Sequence, residues 1–472
     1  MKNMTLSQIA KACNGDFFPC NTSIEKEVAG VVIDSRKVDK DYLFIATAGE
    51  RVDGHDYIDA AFARGAIGII CERKPASSNI PYILVKNSFQ ALKDIAKWYR
   101  MQLSIKVVGI TGSVGKTSTK EFISSVLSRK YNVLKTEGNF NNEIGLPLTI
   151  LQIRDYHEVA VLEMGISDFG EMHRLSEIAK PDICVITNIG QCHLENLGSR
   201  QGILKAKTEI FDFMSDTGSV CVNGDDDMLT TISRVKGRKP IRFGVTGDND
   251  ISATEIKSHG LLGSSCVIHI ADPNDTSASK AKDTLPVNIP LPGEHMVLNA
   301  LAAATVASLL HIQKEEIQTG IASVRPVDGR SNIIRHEQWT VIDDCYNANP
   351  VSMKAAIDLL CKSDTKKIAI LGDMFELGSN EEELHKEIGR YAVENRVDIL
   401  ICVGRLSRNM YLAAQEVLSQ KTSCTSVPQL LFFENRDRLC EALPAILHSN
   451  DTILIKASHA MGFEEVVKFL LR

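Results

Sequence analysis

A short apolar run from Lys106 to Ile110, a glycine-bearing turn, Gly112-Ser113-Val114-Gly115-Lys116-Thr117, and a helical stretch through Ser118 to Leu127 follow one another directly. That order constrains the chain more than any other stretch. A strand that feeds a helix through such a turn aims backbone N–H groups at an anion, and the helix dipole favours negative charge there. Residues Gly112, Ser113, Val114, Gly115, Lys116, Thr117 and Ser118 form the expected cradle. Lys116 would reach the β- and γ-phosphates of a nucleoside triphosphate, and the Thr117 hydroxyl would hold Mg²⁺. The general phosphate-loop pattern asks for glycine at 110; this chain has Ile110, with glycines at 109, 112 and 115. The alternative is an ordinary strand-to-helix turn that carries Gly-Lys-Thr by chance. The flanking strand and helix favour the nucleotide, ATP or GTP.

The rest of the chain is compatible with an enzyme of several domains. Its 472 residues predict two to four domains at about 100–200 residues each. No apolar run approaches the ~20 residues of a membrane helix, and the N-terminus lacks the apolar core of a signal peptide. The 12 cysteines are scattered without a Cys-x-x-Cys pair, so neither a zinc site nor a disulfide framework is expected. Reduced thiols fit a cytoplasmic protein. A net charge of −6 gives no electrostatic footprint for nucleic acid.

Three α/β segments follow from the alternation of apolar runs and helical periods. Residues 1–104 read as a small N-terminal α/β domain. Residues 105–324 read as a central domain with a mainly parallel sheet of the phosphate-loop kind. Within it, strand-like pieces between Pro240 and Pro292 flank a polar stretch, Ala271 to Thr284, and predict an antiparallel appendage with a solvated loop. Residues 325–472 read as a Rossmann-like, doubly wound domain that binds ligands at the C-terminal ends of its strands.

Several polar groups fall at those strand ends. Glu163 closes the apolar run Val159–Leu162 and is either a surface strand end or a Mg²⁺ ligand beside nucleotide phosphates. His193 follows the next strand and is either structural or functional. Lys205 and Lys207 lie on a helical run, Gln201 to Phe211, where solvated lysines are the default. Asn139, Asn141 and Asn142 make either a turn cluster or a substrate-recognition loop. Asp343 and Asp344 follow another strand, where two carboxylates could serve a ribose, an ammonium group or a metal.

Taken together these residues resemble the Mur ligase family over essentially the whole chain. The marks are Asp34-Ser35-Arg36, Thr111 to Thr117, Asn139 to Pro147, Glu163-Met164-Gly165, Asn188 to Glu195, Asp343 to Pro350, and Leu371-Gly372-Asp373-Met374-Phe375-Glu376-Leu377-Gly378. The family's loop pattern, Thr-Gly-x-x-Gly-Lys-Thr, accounts for Ile110. The strings Tyr346 to Pro350 and Gly372 to Gly378 are most similar to those of members that add D-alanyl-D-alanine.

The resemblance implies ATP and Mg²⁺, with Lys116 and Thr117 on the phosphates and first metal, and Glu163 and His193 on a second. It implies that Lys207 is carried as a carbamate, an anionic oxygen ligand. Asn299 would contact adenine, Arg330 the phosphates and Asp344 the ribose. Ser35 would face the uridine nucleotide, and Asn347 and Asn349 would lie toward D-Ala-D-Ala. The substrates implied are UDP-N-acetylmuramoyl-tripeptide and D-alanyl-D-alanine, joined through an acyl phosphate by a monomer. Sibling ligases for other amino acids, a nucleotide-switched binding protein and a non-catalytic homologue are the rival readings. One departure stands out: Lys456-Ala457-Ser458-His459 replaces the family's Lys-Gly-Ser-Arg, and histidine cannot offer arginine's bidentate fork.

Overall fold

The computed structural model describes residues 1–20, 26–77, 79–271, 282–420 and 427–472. Its strands form three sheets. The first holds β1 (Asp16–Phe18), β2 (Gly30–Val32), β3 (Tyr42–Ile45), β4 (Gly68–Cys71) and β5 (Tyr82–Leu84) in the order β1-β5-β4-β3-β2. Only β1 runs antiparallel to its neighbour.

The second sheet has nine strands: β6 (Lys106–Thr111), β7 (Val133–Lys135), β8 (Val159–Glu163), β9 (Ile183–Ile186), β10 (Ser219–Asn223), β11 (Ile241–Gly244), β12 (Ile251–Ser258), β13 (Ser264–Ala271) and β14 (Lys282–Ile289). Their order is β14-β13-β12-β11-β10-β9-β6-β8-β7. Strands β8 and β9 flank β6 on its two sides, both parallel to it. The runs that form β8 and β9 are apolar almost throughout because helices cover both faces of a parallel sheet, and every residue of both strands is buried. The chain reverses direction across the sheet at β6, and such switch points open a crevice at the strands' C-terminal ends. Residues 111–118, 163–167 and 187–193 all leave their strands into that crevice.

The expected antiparallel strands are present and extend the end of the parallel sheet. Strand β12 pairs in parallel with β11 and antiparallel with β13, so one sheet runs on without a break. Part of the polar stretch expected to be loop, Lys282 to Thr284, is already the start of β14; residues 272–281 lie outside the described residues.

The third sheet comprises β15 (Asn332–Arg335), β16 (Thr340–Asp343), β17 (Lys367–Gly372), β18 (Ile399–Val403), β19 (Gln429–Phe433) and β20 (Thr452–Lys456), ordered β15-β16-β20-β17-β18-β19. All pairs are parallel except β15 with β16.

The first two sheets share one apolar core. Ile95 and Tyr99 of the helix Ser88–Arg100 pack in the same cluster as Leu148, Ile150 and Ile178. Tyr99 donates its hydroxyl to the Ile153 carbonyl at 2.7 Å, and buried Arg100 donates to the carbonyls of Ala179, Lys180 and Leu103. A buried guanidinium is stable only when its N–H groups are occupied, so Arg100 ties the two sheets together. A second cluster lies on the other face of the nine-stranded sheet, where the Ala-rich helix His295–Leu309 packs against the helix Lys116–Leu127. Among the described residues, no helix is long and apolar enough to cross a membrane.

Candidate active site

A cleft of about 970 Å³ opens where the C-terminal ends of β6, β8 and β9 face the segment that leads into β15 and the loop that follows β16. Of the residues singled out in the sequence, it is lined by Ser113, Val114, Gly115, Lys116, Thr117, Ser118, Asn141, Asn142, Glu163, His193, Asn299, Arg330, Asp344, Asn347 and Asn349. Ser35, Gly112, Asn139 and Lys207 are not on its wall.

The turn after β6 is held from behind by the strand next door. Val114 N–H donates to Asn188 Oδ1 at 2.9 Å, while the Val114 carbonyl accepts from Thr187 Oγ1 at 2.6 Å and Asn188 Nδ2 at 3.0 Å. Gly190 N–H donates to Ser113 Oγ at 2.9 Å. Two glycines are required. Gly115 begins the helix with φ 83°, in the left-handed region, and a Cβ at Gly112 would stand 1.9 Å from Thr187 Oγ1. Lys116 Nζ donates to the Gly112 carbonyl at 3.0 Å, so its ammonium lies over the cradle. Behind the first helical turn, Thr119 Oγ1 donates to buried Asn299 Oδ1 at 2.8 Å.

Glu163 is not a surface strand end; its side chain is 2% exposed. Oε1 accepts from Asn141 Nδ2 at 2.8 Å, and the Glu163 N–H donates to Thr136 Oγ1 at 3.0 Å. Oε2 is buried without a hydrogen-bond partner. The nearest cation is Lys120, 4.0 Å away, whose ammonium donates to the Thr136 carbonyl at 2.7 Å and pairs with Glu121 at 3.2 Å. An orphaned carboxylate oxygen facing a phosphate cradle is costly unless a cation completes it. Among the described residues no three His, Cys, Asp or Glu side chains gather into an all-protein metal cage. The unpartnered Glu163 oxygen suits Mg²⁺, a hard ion held by one or two carboxylates with phosphate and water oxygens.

His193 sits at the cleft with φ 51°, and its Nδ1 lies 2.5 Å from Glu376 Oε2, close in distance but oblique in angle. The imidazole holds the Glu376 carboxyl below the usual range. Lys207 departs from the solvated default: it is 1% exposed, whereas Lys205 faces solvent. Burial, with Lys116 adding to it against the opposing effect of Cys192, pushes the Lys207 ammonium down to about 8. The helical run carrying it spans Arg200–Thr208 before tightening into a 3₁₀ turn.

The three amides of the 139–142 loop divide. Asn141 holds Glu163. Asn142 Oδ1 accepts from Gly145 N–H at 2.9 Å and Ile144 N–H at 3.1 Å, a local turn role. Asn139 contributes its carbonyl to Asn141 N–H at 2.7 Å. Between Asn139 and Asn141, the Phe140 ring lies under Lys37, 5.9 Å from its ammonium, and Lys37 ends the short 3₁₀ turn Ser35–Lys37. Ser35 therefore approaches this loop from the first sheet rather than from the cleft.

On the C-terminal wall, Asp344 Oδ2 lies 2.6 Å from buried Lys456 and Oδ1 accepts from Ser331 N–H at 2.9 Å. Arg330 stacks its guanidinium 3.9 Å above the Tyr346 ring, and His459 stacks on the same ring at 5.3 Å. Asn349 caps the helix Pro350–Leu360 by accepting from Ser352 N–H at 2.9 Å. Asn347 Oδ1 accepts from Ala348 N–H at 2.9 Å, and its carbonyl accepts from Lys456 at 2.9 Å.

Reading the sequence missed Lys120, and it assigned no role to Glu376, Tyr346 or Lys456. Lys120 follows Lys116 by one helical turn, so i, i+4 spacing places both on one face. Lys456 ends an apolar run as Glu163 does. Glu376 lies in the string Leu371–Gly378 that carries the resemblance, but nothing local pairs it with His193; only the packing of two sheets does.

Family models match three consecutive stretches: Mur ligase family, catalytic domain, over residues 27–103; Mur ligase middle domain over 110–307; and Mur ligase, glutamate ligase domain, over 329–459. The UDP-N-acetylmuramoyl-tripeptide–D-alanyl-D-alanine ligase of Bacillus subtilis is 35% identical over 480 residues, covering 100% of this chain and 99% of the relative. A crystal structure of MurF from Acinetobacter baumannii superposes with a TM-score of 0.86 at 30% identity, covering 99% of this chain and 98% of that one. MurF ligase from Thermotoga maritima in complex with ADP gives 0.78 at 29% identity, covering 93% and 96%.

Proposed function

Since the chain belongs to the Mur ligase family, we propose that its cleft joins two substrates, D-alanyl-D-alanine and a UDP-N-acetylmuramoyl-tripeptide, at the expense of ATP. It is an ATP-dependent ligase of this specificity, as its full-length relatives are named. The observation that carries the reading is the phosphate cradle facing a buried carboxylate with one uncompensated oxygen, inside a chain alike to those relatives from end to end.

A carboxylate is a poor electrophile, so an amide forms in water only after activation. The terminal carboxylate of the tripeptide attacks the γ-phosphorus of ATP, ADP leaves, and an acyl phosphate results. The amine of D-Ala-D-Ala then adds to the acyl carbon, a proton is lost from nitrogen, and the tetrahedral adduct expels inorganic phosphate. Lys116 swings from the Gly112 carbonyl to the transferring phosphoryl group, and the loop N–H groups hold the chain of phosphates in line. Two Mg²⁺ ions, when bound, would neutralise phosphoryl charge; Thr117 would hold the first, and Glu163, His193 and a carbamate on Lys207 the second.

The depressed pKa of Lys207 supports the carbamate, because only a neutral amine adds to CO₂, and about 8 leaves a usable neutral fraction near neutrality. Asn299, Arg330 and Asp344 serve the adenosine and phosphates. Ser35 and the Asn139–Asn142 loop serve the uridine nucleotide and its peptide, and Asn347 and Asn349 the dipeptide. In this reading residues 1–104 receive the nucleotide substrate, 105–324 hold ATP, and 325–472 receive the dipeptide and lend Arg330 and Asp344 to ATP. The product mixture from ATP, Mg²⁺, D-Ala-D-Ala and the diaminopimelate or lysine tripeptide nucleotide tests it by mass spectrometry. A pentapeptide nucleotide with one phosphate released per bond is expected; ATP hydrolysis without that mass would overturn it.

A further inference from the structure

We infer that Glu376 is a positioning residue for a metal ion bound through His193, so that the C-terminal sheet completes a centre whose protein ligands come from the central one. This rests on reading His193 as a ligand. The two residues come from different sheets: His193 follows β9, and Glu376 follows β17. Nδ1 of His193 is closed off from solvent without a well-aligned hydrogen bond, and the Glu376 carboxylate stands 2.5 Å from it at an oblique angle. Both backbones are left-handed, with φ 51° at His193 and 62° at Glu376, a conformation uncommon outside glycine. The segments also meet one step further on, where a Cβ at Gly378 would touch the Glu195 backbone at 3.5 Å.

A metal-bound imidazole coordinates through one nitrogen and gives the other N–H to a carboxylate or carbonyl, which fixes its tautomer and strengthens it as a ligand. With Nδ1 facing Glu376, Nε2 is the nitrogen left for the cleft. The Glu376 side chain is 59% exposed, so it is no part of a core. As a plain surface ion pair it would contribute little and would leave metal affinity untouched. As a support for His193 it makes docking of the third sheet and occupancy of the metal site mutually dependent, since coupling between two sites is reciprocal.

The test titrates the full-length protein with Mn²⁺ in the presence of ADP and follows free Mn²⁺ by electron paramagnetic resonance. Wild type is compared with Glu376→Ala, Glu376→Gln, His193→Ala and the double variant His193→Ala/Glu376→Ala. Glu376→Ala should weaken Mn²⁺ binding about 10–100-fold, the usual cost of losing such a support, with an unchanged melting temperature. Glu376→Gln, whose amide oxygen still accepts the Nδ1–H, should lose less. The double variant should bind as His193→Ala does. Unchanged affinity in Glu376→Ala alongside weakened His193→Ala overturns the inference alone. An equal loss from Glu376→Ala when His193 is already absent does the same, because it would mark a general charge effect. Wild-type affinity in His193→Ala removes the ligand reading, and the inference with it.

Discussion

Glu163 and Asp344 are both buried carboxylates at the C-terminal end of a parallel strand, and they are built for opposite purposes. Asp344 has its charge met: Lys456 lies at 2.6 Å from one oxygen, and the Ser331 N–H reaches the other. Glu163 has one oxygen occupied by Asn141 and one with no hydrogen-bond partner, with Lys120 only at 4.0 Å. The first arrangement has a partner on each oxygen. The second leaves one oxygen without a hydrogen bond, the place that the proposed function gives to a cation. Burial alone does not tell the two apart; the state of the second oxygen does.

The largest expected effect tests the open carboxylate. Glu163→Gln should lower ATP- and dipeptide-dependent phosphate release by at least about 10²-fold, the scale of removing one preorganised charge-stabilising group. The fold should persist, and a variant that turns over normally would put Glu163 on a par with Asp344. The closed carboxylate should behave the other way. Lys456→Met strands Asp344 in the interior and should cost about 3–5 kcal/mol in urea unfolding. A wild-type denaturation midpoint would show that Lys456 is not what compensates Asp344.

The cradle between them is sensitive to bulk. Gly112→Ala, with its methyl 1.9 Å from Thr187 Oγ1, should cost about 1–3 kcal/mol through overpacking. Pairing it with Thr187→Ala should return part of that loss. Lys207 offers a third case, a buried cation when it carries no carbamate. Its ammonium is depressed from 10.5 to about 8, so between those values the unfolded chain binds more protons than the folded one. Stability should therefore rise with pH across that window, by at most ~1.4 kcal/mol per unit, and be flat at this position below it. Lys207→Met should abolish the rise relative to wild type in matched urea titrations.

The sequence carried the local half of this picture. The run Lys106–Leu127 specified strand, turn and helix through periodicity and glycine, and the structure has them at Lys106–Thr111 and Lys116–Leu127. Glu163 was legible as a polar residue closing an apolar run, although burial of its whole side chain was not. The start of strand β14 was hidden because Lys282, Asp283 and Thr284 look like loop; they pair with Ala271, Ile270 and His269 along the edge that β13 offers. Helical spacing alone left Lys207 at the solvated default, because it does not say which polar position is buried; only the resemblance set Lys207 apart from Lys205. Lys120 and Glu376 owe their surroundings to residues 43 and 183 positions distant in sequence (163 − 120 and 376 − 193), and no local pattern records that.

The continuity between the first two sheets has a practical consequence. Ile95, Tyr99 and Arg100 are anchored among Leu148, Ile153 and Ala179, so cutting the gene after Met101 would leave each half with a bare oily wall and severed carbonyl partners. The amino-terminal piece is not a module to be swapped or expressed by itself. A break there would expose apolar surface on both sides of the cut, so the first two sheets stand or fall together.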